Sequence, residues 1–467
     1  MIDSPREACG VFGLYGHIDD VARTIFFGLT ALQHRGQESA GIATMDNGKI
    51  HLQTGMGLVS QAFIESDLRK LPGTIGIGHT RYSTTGSSES RNAQPFVAQG
   101  PNGTIALAHN GNVINALSLR QQLITDYGSQ FLTTTDSEVI LQFLLSIPGL
   151  SWADRIGQLM REFQGAYSVV FLCDDGLIAI RDPLGVRPLC LGSVQDGWVV
   201  ASESCALDQI GAEIIREVEP GEAILINNNG LQTIYNGNKG KRATCSFEFI
   251  YFARPDSIID DNLVYSKRMA MGRQLAIEQS VDADLVIPVP DSAIPAGVGY
   301  ASESGIPYQD GLIKNRNVGR TFIQPDQRMR EQGVRMKFNP LVDVLYGKRI
   351  IVVDDSIVRG NTTPHVISLL RKAGAKEIHW RVASPPIVSP CHFGVDMATQ
   401  DELIAANRSV SEINEIIGAD SLGYLSIKGM LNALGSEGMH CTGCFTREYP
   451  IPIQLGMDKY LFEKNTK

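Results

Sequence analysis

The sequence lacks the features of a membrane-embedded, secreted or nucleic-acid-binding protein. No stretch approaches the roughly 20 consecutive apolar residues that a membrane-spanning helix needs. The first eight residues, MIDSPREA, contain no apolar run of the kind found in secretory signals. The 41 Lys and Arg residues are outnumbered by 50 Asp and Glu residues, which argues against nucleic acid as the main partner. We therefore expect a cytoplasmic protein. The net charge says little about a small anionic substrate, which responds to local charge.

Cysteine is also scarce, with eight residues in 467. A cytosolic chain rarely uses cysteine for disulfides, so unusual placement indicates metal binding or catalysis. Cys173, Cys190 and Cys205 stand among apolar or small residues and are predicted to be core residues. The remaining five are candidates for chemistry: Cys9, Cys245, Cys391, Cys441 and Cys444.

The length predicts more than one domain, and the first half has the pattern of a β-rich α+β domain. Asp174-Asp175-Gly176 is a hairpin signal. Helices are expected after Asp136-Ser137 and after Ser151, which has Asp154 three positions on. The expected strands cover residues 73–78, 104–108, 167–173 and 177–181, the first two running into polar loops.

Residues 227–240 are rich in Asn and Gly, and we place a domain boundary after residue 240. Beyond it, short apolar strands alternate with helices, which predicts an α/β domain over residues 241–467. One helix should start near Thr362 or Thr363, with Pro364 early in it, and stop at Gly374. The expected buried parallel strands cover residues 285–289, 349–353 and 378–382.

The segment 350–363, IIVVDDSIVRGNTT, has the pattern of a phosphate site. A strand's carboxyl end followed by a helix N-terminus is where open α/β sheets bind ligands, and helix N–H groups favour phosphate. The segment resembles the phosphoribosyl pyrophosphate motif of type I phosphoribosyltransferases; the alternative is a turn whose acids merely cap a helix. The predicted binding residues are Asp354, Asp355, Ser356, Arg359, Gly360, Asn361, Thr362 and Thr363.

Two further segments support this site. PVPDS at residues 288–292 follows another buried strand, so Ser292 is predicted to join Asp354 and Asp355 in a Mg²⁺ site. Residues 314–337 carry seven basic and two acidic side chains, which would close over a polyanion, although a solvated surface loop is the alternative. From this segment, the residues predicted to bind phosphoribosyl pyrophosphate are Lys314, Arg316 and Arg320.

Five motifs in the first half point to glutamine chemistry. In chain order they are ACGVFG from Ala8, QHRGQESAG from Gln33, GHTRYST from Gly78, AHNGN from Ala108 and TDSE from Thr135. Together they resemble the glutaminase domain of N-terminal-nucleophile amidotransferases. The resemblance implies an αββα sandwich over residues 9–240 and a catalytic thiol at Cys9, with the α-amino group of Cys9 as the base.

The same resemblance implies roles for the companion residues. Arg81 would bind the glutamine α-carboxylate and Asp136 its ammonium. Asn110 and Gly111 would form the oxyanion hole. Arg35 and Gly36 would line the pocket. Taken singly, Asn110-Gly111 could be a turn and Asp136 a helix cap, whereas His34, His79 and His109 are predicted to be structural.

Cys9 does not begin the encoded chain, and an amide nitrogen cannot serve as a base. We therefore predict that residues 1–8 are a propeptide, removed by self-cleavage at the Ala8–Cys9 bond. An α-amino group with a pKa near 8 would then lie beside the thiol.

Cys441 and Cys444 form a C-x-x-C pair that Cys245 and Cys391 would complete. Four thiolates suit either zinc or an iron–sulfur cluster, and a redox pair is a weaker reading because no thioredoxin-like unit adjoins it.

The order of all these motifs, over nearly the whole chain, resembles the amidophosphoribosyltransferases. The resemblance implies synthesis of phosphoribosylamine from glutamine and phosphoribosyl pyrophosphate at the start of purine synthesis. It also implies Mg²⁺, a [4Fe–4S] cluster on Cys245, Cys391, Cys441 and Cys444, inhibition by purine nucleotides, and a homotetramer.

Two other kinds of protein share part of this pattern. Hexosamine and asparagine synthases also use a cysteine glutaminase, but the phosphoribosyl motif argues against both. A non-catalytic sensor of phosphoribosyl pyrophosphate could dispense with the nucleophile and its companions, all of which are present here.

Overall fold

The computed structural model describes residues 9–16, 18, 20–82, 87–101, 103–147, 151–237, 240–315, 337–395, 397, 399–435 and 438–453. Among the helices in these ranges, none is both long and apolar enough to traverse a membrane. The expectation that the protein is cytoplasmic stays a prediction.

The first half is built on two antiparallel sheets. Its strands are β1 (Gly10–Tyr15), β2 (Ser39–Asp46), β3 (Lys49–Met56), β4 (Ile75–Arg81), β5 (Phe96–Gly100), β6 (Gly103–Val113), β7 (Gly165–Cys173), β8 (Gly176–Arg181), β9 (Cys190–Val194), β10 (Gly197–Ala201), β11 (Glu213–Glu217), β12 (Glu222–Asn227) and β13 (Gly230–Asn236). One sheet has the order β11-β9-β10-β1-β4-β2-β3 and the other β13-β12-β8-β7-β6-β5.

Helices cover the outer faces of this pair of sheets. They are α1 (Val21–Ala31), α2 (Val59–Ala62), α3 (Glu65–Leu68), α4 (Ala116–Tyr127), α5 (Asp136–Ser146), α6 (Trp152–Glu162) and α7 (Ser204–Gln209). The apolar layer between the sheets includes Val11, Ala43 and Val170. Separate apolar layers lie under α1 and under α5. Because strands such as β1 are buried on both faces, they read as continuous apolar runs. The predicted αββα sandwich is confirmed.

Sequence signals for turns and helix caps were accurate where the interacting residues are close together in the chain. The hairpin at Asp174-Asp175 forms with Cys173 opposite Gly176. Ser151 caps α6 through the N–H of Asp154. The prediction that the strand near residue 108 gives way to a loop was wrong. Strand β6 continues to Val113, because its residues 106–113 pair with β7.

The second half contains a four-stranded parallel sheet with helices on both faces. The strands of the second half are β14 (Thr244–Cys245), β15 (Ile258–Ile259), β16 (Asn262–Leu263), β17 (Leu285–Pro288), β18 (Leu312–Lys314), β19 (Phe338–Pro340), β20 (Arg349–Asp354), β21 (Glu377–Val382), β22 (Ser421–Tyr424) and β23 (His440–Cys441). The parallel sheet has the order β17-β20-β21-β22, which confirms the three predicted strands and the α/β class.

The helices of this half are α8 (Val264–Glu278), α9 (Ile294–Ser304), α10 (Val342–Leu345), α11 (Thr363–Lys372), α12 (Val410–Ile417), α13 (Ile427–Leu434) and α14 (Gly443–Thr446). A π-helical turn covers Glu248–Phe252. Helix α11 has Pro364 in its first turn and ends just before Gly374, as predicted. Gly374 has φ +91, a conformation that favours glycine.

The Asn- and Gly-rich residues around the proposed boundary form more than a linker. Strands β12 and β13 make a hairpin there, with Asn227 opposite Gly230. Placement of the boundary after residue 240 stays a prediction. Beyond it, β14 pairs in parallel with β23 from the far end of the chain, with Cys245 opposite Cys441.

Candidate active sites

Cys9 lies immediately before β1 and is buried. Its thiol donates to the Tyr82 carbonyl at 3.2 Å, and the Arg35 Nε donates to the Cys9 carbonyl at 3.1 Å. Burial raises the pKa of the Cys9 thiol, and the nearby Arg81 charge only partly offsets this. A thiol in this state becomes a strong nucleophile only when a base removes its proton.

Arg81 and Asp136 lie close enough to Cys9 for their charges to influence its pKa. Arg81 is the last residue of β4, and its Nη1 donates to the Ser87 carbonyl at 3.1 Å. It also lies 3.8 Å from Glu38, a neighbour that the sequence did not single out. Burial lowers the pKa of Arg81. The structure therefore brings three predicted glutamine-site residues together.

Asp136 is the first residue of α5 rather than its cap. Its Oδ2 accepts the Val113 N–H at 2.9 Å and lies 3.8 Å from His109 Nδ1. The carboxylate thus ties the start of α5 to the end of β6. This contact places Asp136 beside Asn110 and Gly111, which belong to the same strand.

Asn110 and Gly111 lie on β6 in extended pairing with Ser168 and Tyr167, so they do not form the turn that was their alternative reading. Asn110 Nδ2 is 3.4 Å from the Ser202 hydroxyl, which accepts the Val11 N–H at 2.9 Å. Within the described residues, the buried Asn110 Oδ1 has no hydrogen-bond partner.

Gly111 is required by its surroundings. Its φ is +152, and a Cβ built there would lie 2.0 Å from the Ala166 carbonyl oxygen. A larger residue would therefore push β6 away from β7. Gly36 is constrained in the same way, because a Cβ there would lie 2.7 Å from the backbone N of Arg81.

Arg35 uses its guanidinium for a buried ionic network. Nη2 donates to Glu248 at 2.6 Å, and Nη1 contacts both Glu248 and Glu203. Arg187 donates to the same Glu248 at 3.1 Å. The contact of Arg35 with the predicted glutamine pocket is its hydrogen bond to the Cys9 carbonyl. Sequence reasoning missed Glu203 and Glu248, which lie 168 and 213 positions from Arg35, too far for any local pattern.

The three histidines have mainly structural surroundings. His34 Nε2 donates to Glu203 at 2.7 Å. His79 donates to the His109 carbonyl at 3.0 Å, and burial lowers its pKa to about 3. Over the described ranges, no group of three or more His, Cys, Asp or Glu side chains is placed to hold a metal ion.

The predicted phosphate loop follows β20. Asp355 is buried and accepts hydrogen bonds from the Ser292 hydroxyl and, at 2.6 Å, from the Ser356 hydroxyl. Burial raises the pKa of Asp355, while these hydroxyls and Arg268 oppose the rise. Ser292 and Asp355 therefore meet at one sheet edge, as the sequence predicted. Their oxygen donors, with Asp354, suit the chemistry of Mg²⁺.

Of the four positive side chains predicted for this site, two lie within the described residues and two lie outside them. Lys314 is ion-paired with Asp291 at 2.6 Å. Arg359 lies 3.5 Å from Glu402. Arg316 and Arg320, with most of the basic segment 314–337, fall outside the described residues.

Gly360 gives the phosphate loop its sharp course. It has φ +71, and a Cβ there would lie 2.3 Å from Ile404 Cδ1. Asn361 is exposed, and Thr362 and Thr363 open α11.

A cavity of about 630 Å³ joins the two halves of the molecule. Gln33, His34, Gln37 and Leu58 line it from the first half. From the second half it is lined by Tyr251, Phe252, Ala253, Arg254, Pro255, Arg268, Val289, Pro290, Asp291, Ser292, Lys314, Lys337, Phe338, Asp354, Asp355, Ser356, Thr362, Thr363, Val366 and Trp380. The phosphate loop therefore opens towards the segment that carries Arg35.

The four remaining cysteines come together from three parts of the chain, although in the described structure they are not arranged to hold one metal ion. Cys245 and Cys441 are opposite each other on β14 and β23, and Cys444 lies in α14. The Cys444 carbonyl accepts the N–H groups of Val388 and Ser389, which precede Cys391. Burial raises the pKa of Cys444 well above its usual range, and the other three thiols raise it further. Burial also raises the pKa of Cys245 to about 12.

Comparisons with known proteins match both halves. A family model described as a glutamine amidotransferase domain matches residues 79–209. The amidophosphoribosyltransferase of Synechocystis sp. is 52% identical over 97% of this chain and 92% of its own length. That of Bacillus subtilis is 46% identical over 96% of this chain and 95% of its own. A solved glutamine phosphoribosylpyrophosphate amidotransferase from B. subtilis, complexed with ADP and GMP, superposes with a TM-score of 0.89 at 45% identity, covering 96% of this chain and 98% of its own. The chain therefore belongs to the amidophosphoribosyltransferase family.

Proposed function

We propose that this protein is a glutamine-dependent amidophosphoribosyltransferase. It converts phosphoribosyl pyrophosphate, glutamine and water into 5-phosphoribosylamine, pyrophosphate and glutamate, the first committed step of purine synthesis. The observation that carries this proposal is the cavity in which Gln33, His34 and Gln37 face the Asp354-Asp355 loop. These three residues flank Arg35, which donates to the Cys9 carbonyl. Ammonia released at Cys9 would enter the cavity past this segment and react at the phosphoribosyl end.

At the glutamine end, the Cys9 sulfur attacks the side-chain amide carbon. Arg81 holds the substrate carboxylate and Asp136 its ammonium. Asn110 and Gly111 donate to the oxyanion as the carbonyl bond opens. Ammonia leaves with a proton taken from the thiol, and water then hydrolyses the thioester to release glutamate.

The proton acceptor at this end is the α-amino group of Cys9 after removal of residues 1–8. Within the described residues, the recorded contacts of the Cys9 sulfur are the backbone carbonyl and N–H of Tyr82, neither of which is a base. N-terminal sequencing of active protein should therefore read Cys-Gly-Val. Active protein that retains Met1 would contradict the cleavage.

At the phosphoribosyl end, Asp354 and Asp355 hold the ribose hydroxyls, and the start of α11 binds the 5-phosphate. Ser292, Asp354 and Asp355 would hold Mg²⁺, which offsets the charge of the departing pyrophosphate when bound. Ammonia attacks the anomeric carbon as the bond to pyrophosphate breaks. Lys314, Arg316 and Arg320 belong to the segment that would close over the site.

Cys245, Cys391, Cys441 and Cys444 would hold a [4Fe–4S] cluster with a structural or oxygen-sensitive regulatory role. Their support is the donor set itself, four buried or half-buried thiols that influence one another's protonation. Protein purified without oxygen should contain about four irons and four sulfides per chain. Stoichiometric zinc without iron would overturn this assignment.

Three further properties are part of the proposal. Purine nucleotides would inhibit by occupying the phosphate loop, since they share a ribose phosphate with the substrate. The B. subtilis relative was solved with ADP and GMP. We also propose a homotetramer and a cytoplasmic location.

The test is pyrophosphate release with either glutamine or ammonia as the nitrogen donor. Cys9→Ala should lose the glutamine-dependent rate and keep the ammonia-dependent rate. Asp355→Asn should lose both, whereas Cys173→Ala, in the core of the same half, should lose neither. Wild type that binds phosphoribosyl pyrophosphate but consumes neither substrate would favour a non-catalytic sensor.

A further inference from the structure

A short segment of the second half, residues 391–395, lies directly against the oxyanion strand β6 of the first half. We call it the buttress. The Asn112 amide donates to the His392 carbonyl at 2.9 Å. The Arg187 guanidinium donates twice to the Phe393 carbonyl, at 3.0 and 2.8 Å. A Cβ built on Gly394 would lie 2.7–2.9 Å from the Gly111 backbone. The buttress therefore contacts the backbone of one predicted oxyanion donor.

The other side of the buttress is anchored to the four-cysteine site. Its first residue is Cys391, whose sulfur accepts the Phe393 N–H at 3.3 Å. Phe393 is 1% exposed and packs edge-on against Tyr449, at 5.9 Å between ring centres. Tyr449 donates to Pro390, the residue before the buttress. Five residues thus span the distance between the cysteine site and the glutaminase strand.

Gly111 is confined from two directions. On one side, the Ala166 carbonyl occupies the position that a Cβ on Gly111 would need. On the other side, Gly394 of the second half approaches the Gly111 backbone. Oxyanion stabilisation depends on donors held in position before the reaction, so a small shift of this peptide weakens it sharply. In the described part of the chain, Arg81 contacts Glu38 and Ser87, and Asp136 contacts Val113 and His109. These residues lie outside the buttress, so we expect binding of ground-state glutamine to be little affected by it.

We propose that the buttress positions the Gly111 N–H for catalysis, and that occupation of the four-cysteine site holds the buttress in place. A group bound by all four thiols ties Cys391 to β14, β23 and α14. Without that tie, the buttress gains conformational freedom and the oxyanion strand loses its outer support. This inference rests on the proposed glutaminase activity and on the proposed cluster.

The first test changes the buttress while leaving the cysteines intact. Gly394→Ala should retain wild-type iron content and ammonia-dependent pyrophosphate release. Its glutaminase kcat should fall about 100-fold, the size of effect that follows loss of one oxyanion donor, with the KM for glutamine unchanged. Asn112→Ala adds no atoms and removes the hydrogen bond to the His392 carbonyl, so a smaller fall of about tenfold is expected.

Thr446→Val is the matched control. The Thr446 hydroxyl lies near the Thr442 and Glu448 carbonyls, at the two ends of α14, and makes no recorded contact with the first half in the described structure. It should change neither glutaminase activity nor iron content. If Gly394→Ala and Asn112→Ala both behave like this control, the buttress does not position Gly111.

The second test needs no turnover. Amide hydrogen exchange of the peptide covering Gly103–Val113 should be faster in wild type stripped of its metal than in loaded wild type, while exchange in β2 stays the same. Equal exchange of Gly103–Val113 in the two forms would overturn the link to the cysteine site. Wild type that releases no glutamate would instead overturn the proposed function, and the buttress with it.

Discussion

At the scale of single residues, the glutamine site is a cysteine whose surroundings keep it protonated. Burial raises the pKa of the Cys9 thiol, and the nearest imidazoles are structural. His79 and His109 are buried, and burial lowers the pKa of each. In the proposed mechanism, the reactive thiolate therefore depends on the α-amino group that cleavage at Ala8–Cys9 would create. The sequence singled out Cys9 and its proposed substrate-binding companions because each lies in its own short motif, and the structure brings Cys9, Arg81 and Asp136 together.

Arg81→Lys tests the two-pronged binding of the glutamine carboxylate. A lysine retains the charge but not the planar fork, so kcat/KM for glutamine should fall about 100-fold. Ammonia-dependent activity should be unchanged. Arg91→Lys, on the exposed 3₁₀ turn nearby, is the control. Indistinguishable glutaminase kinetics of the two variants would exclude this role for Arg81.

At the scale of elements, prediction succeeded where partners are adjacent in sequence and failed where they are distant. Strand β20, its loop and α11 form one local unit, and every boundary was within two residues. Asn110-Gly111 resembled a turn because Asn-Gly is a strong hairpin signal, yet pairing with β7 extended the strand. Nothing near Arg35 in sequence pointed to Glu203 or Glu248, because these contacts depend on how the two halves pack.

Glu203 links three elements and should be a stability determinant. It is fully buried and accepts from His34, Arg35, the Arg254 N–H and the Ser257 hydroxyl. Although burial opposes ionisation, His34 and Arg35 hold the pKa of Glu203 well below its usual range. Glu203→Gln leaves buried positive charge less compensated and should lower the free energy of unfolding by about 3 kcal/mol.

Urea unfolding at pH 7.5 measures this effect. Glu65→Gln, which disrupts an exposed ion pair with Arg23, is the control and should change stability little. Equal stability of the two variants would show that Glu203 is not a structural link.

Gly360→Ala tests the shape of the phosphate loop. The new methyl would meet Ile404 at a positive φ, so the KM for phosphoribosyl pyrophosphate should rise about tenfold. Gly418→Ala has a similar φ of +75 with nothing within 4 Å of the new atom, and it lies after α12. It should leave that KM unchanged. A wild-type KM in Gly360→Ala would contradict the proposed loop.

At the scale of the whole molecule, two separately recognisable domains share one cavity and one ionic network. The sequence allowed both domains to be predicted in their order along the chain, but not the contacts between them. Arg35, which donates to the Cys9 carbonyl, forms an ion pair with Glu248 in the π-helical turn beside the cavity. The buttress makes a second junction. These contacts form between residues that are far apart in the chain and meet only when both domains have folded. No periodicity or local motif in the sequence could therefore predict them.

Buried histidines should make the whole molecule sensitive to mild acid. Burial lowers the pKa of His79 to about 3 and that of His440 to about 4. An unfolded chain protonates these rings below about pH 6.5, while the folded chain does not, so unfolding is favoured as pH falls. From pH 6.5 to pH 5, the slope that each ring contributes should rise from about 0.7 to about 1.3 kcal/mol per pH unit, as the unfolded ring becomes fully protonated.

Urea unfolding at pH 7.5, 6.5 and 5.5 measures this slope. His79→Asn should show a shallower dependence than wild type, whatever its stability at pH 7.5. Parallel curves for the two proteins would rule out His79 as a source of the acid sensitivity.

The central claim is that glutamine hydrolysis and phosphoribosyl transfer are two halves of one reaction across a shared cavity. The most direct measurement follows glutamate and pyrophosphate together in one reaction of the wild type. The account predicts equal amounts of the two products, and much slower glutamate release when phosphoribosyl pyrophosphate is omitted. Glutamate formed at the same rate without phosphoribosyl pyrophosphate, or in no fixed ratio to pyrophosphate, would contradict it.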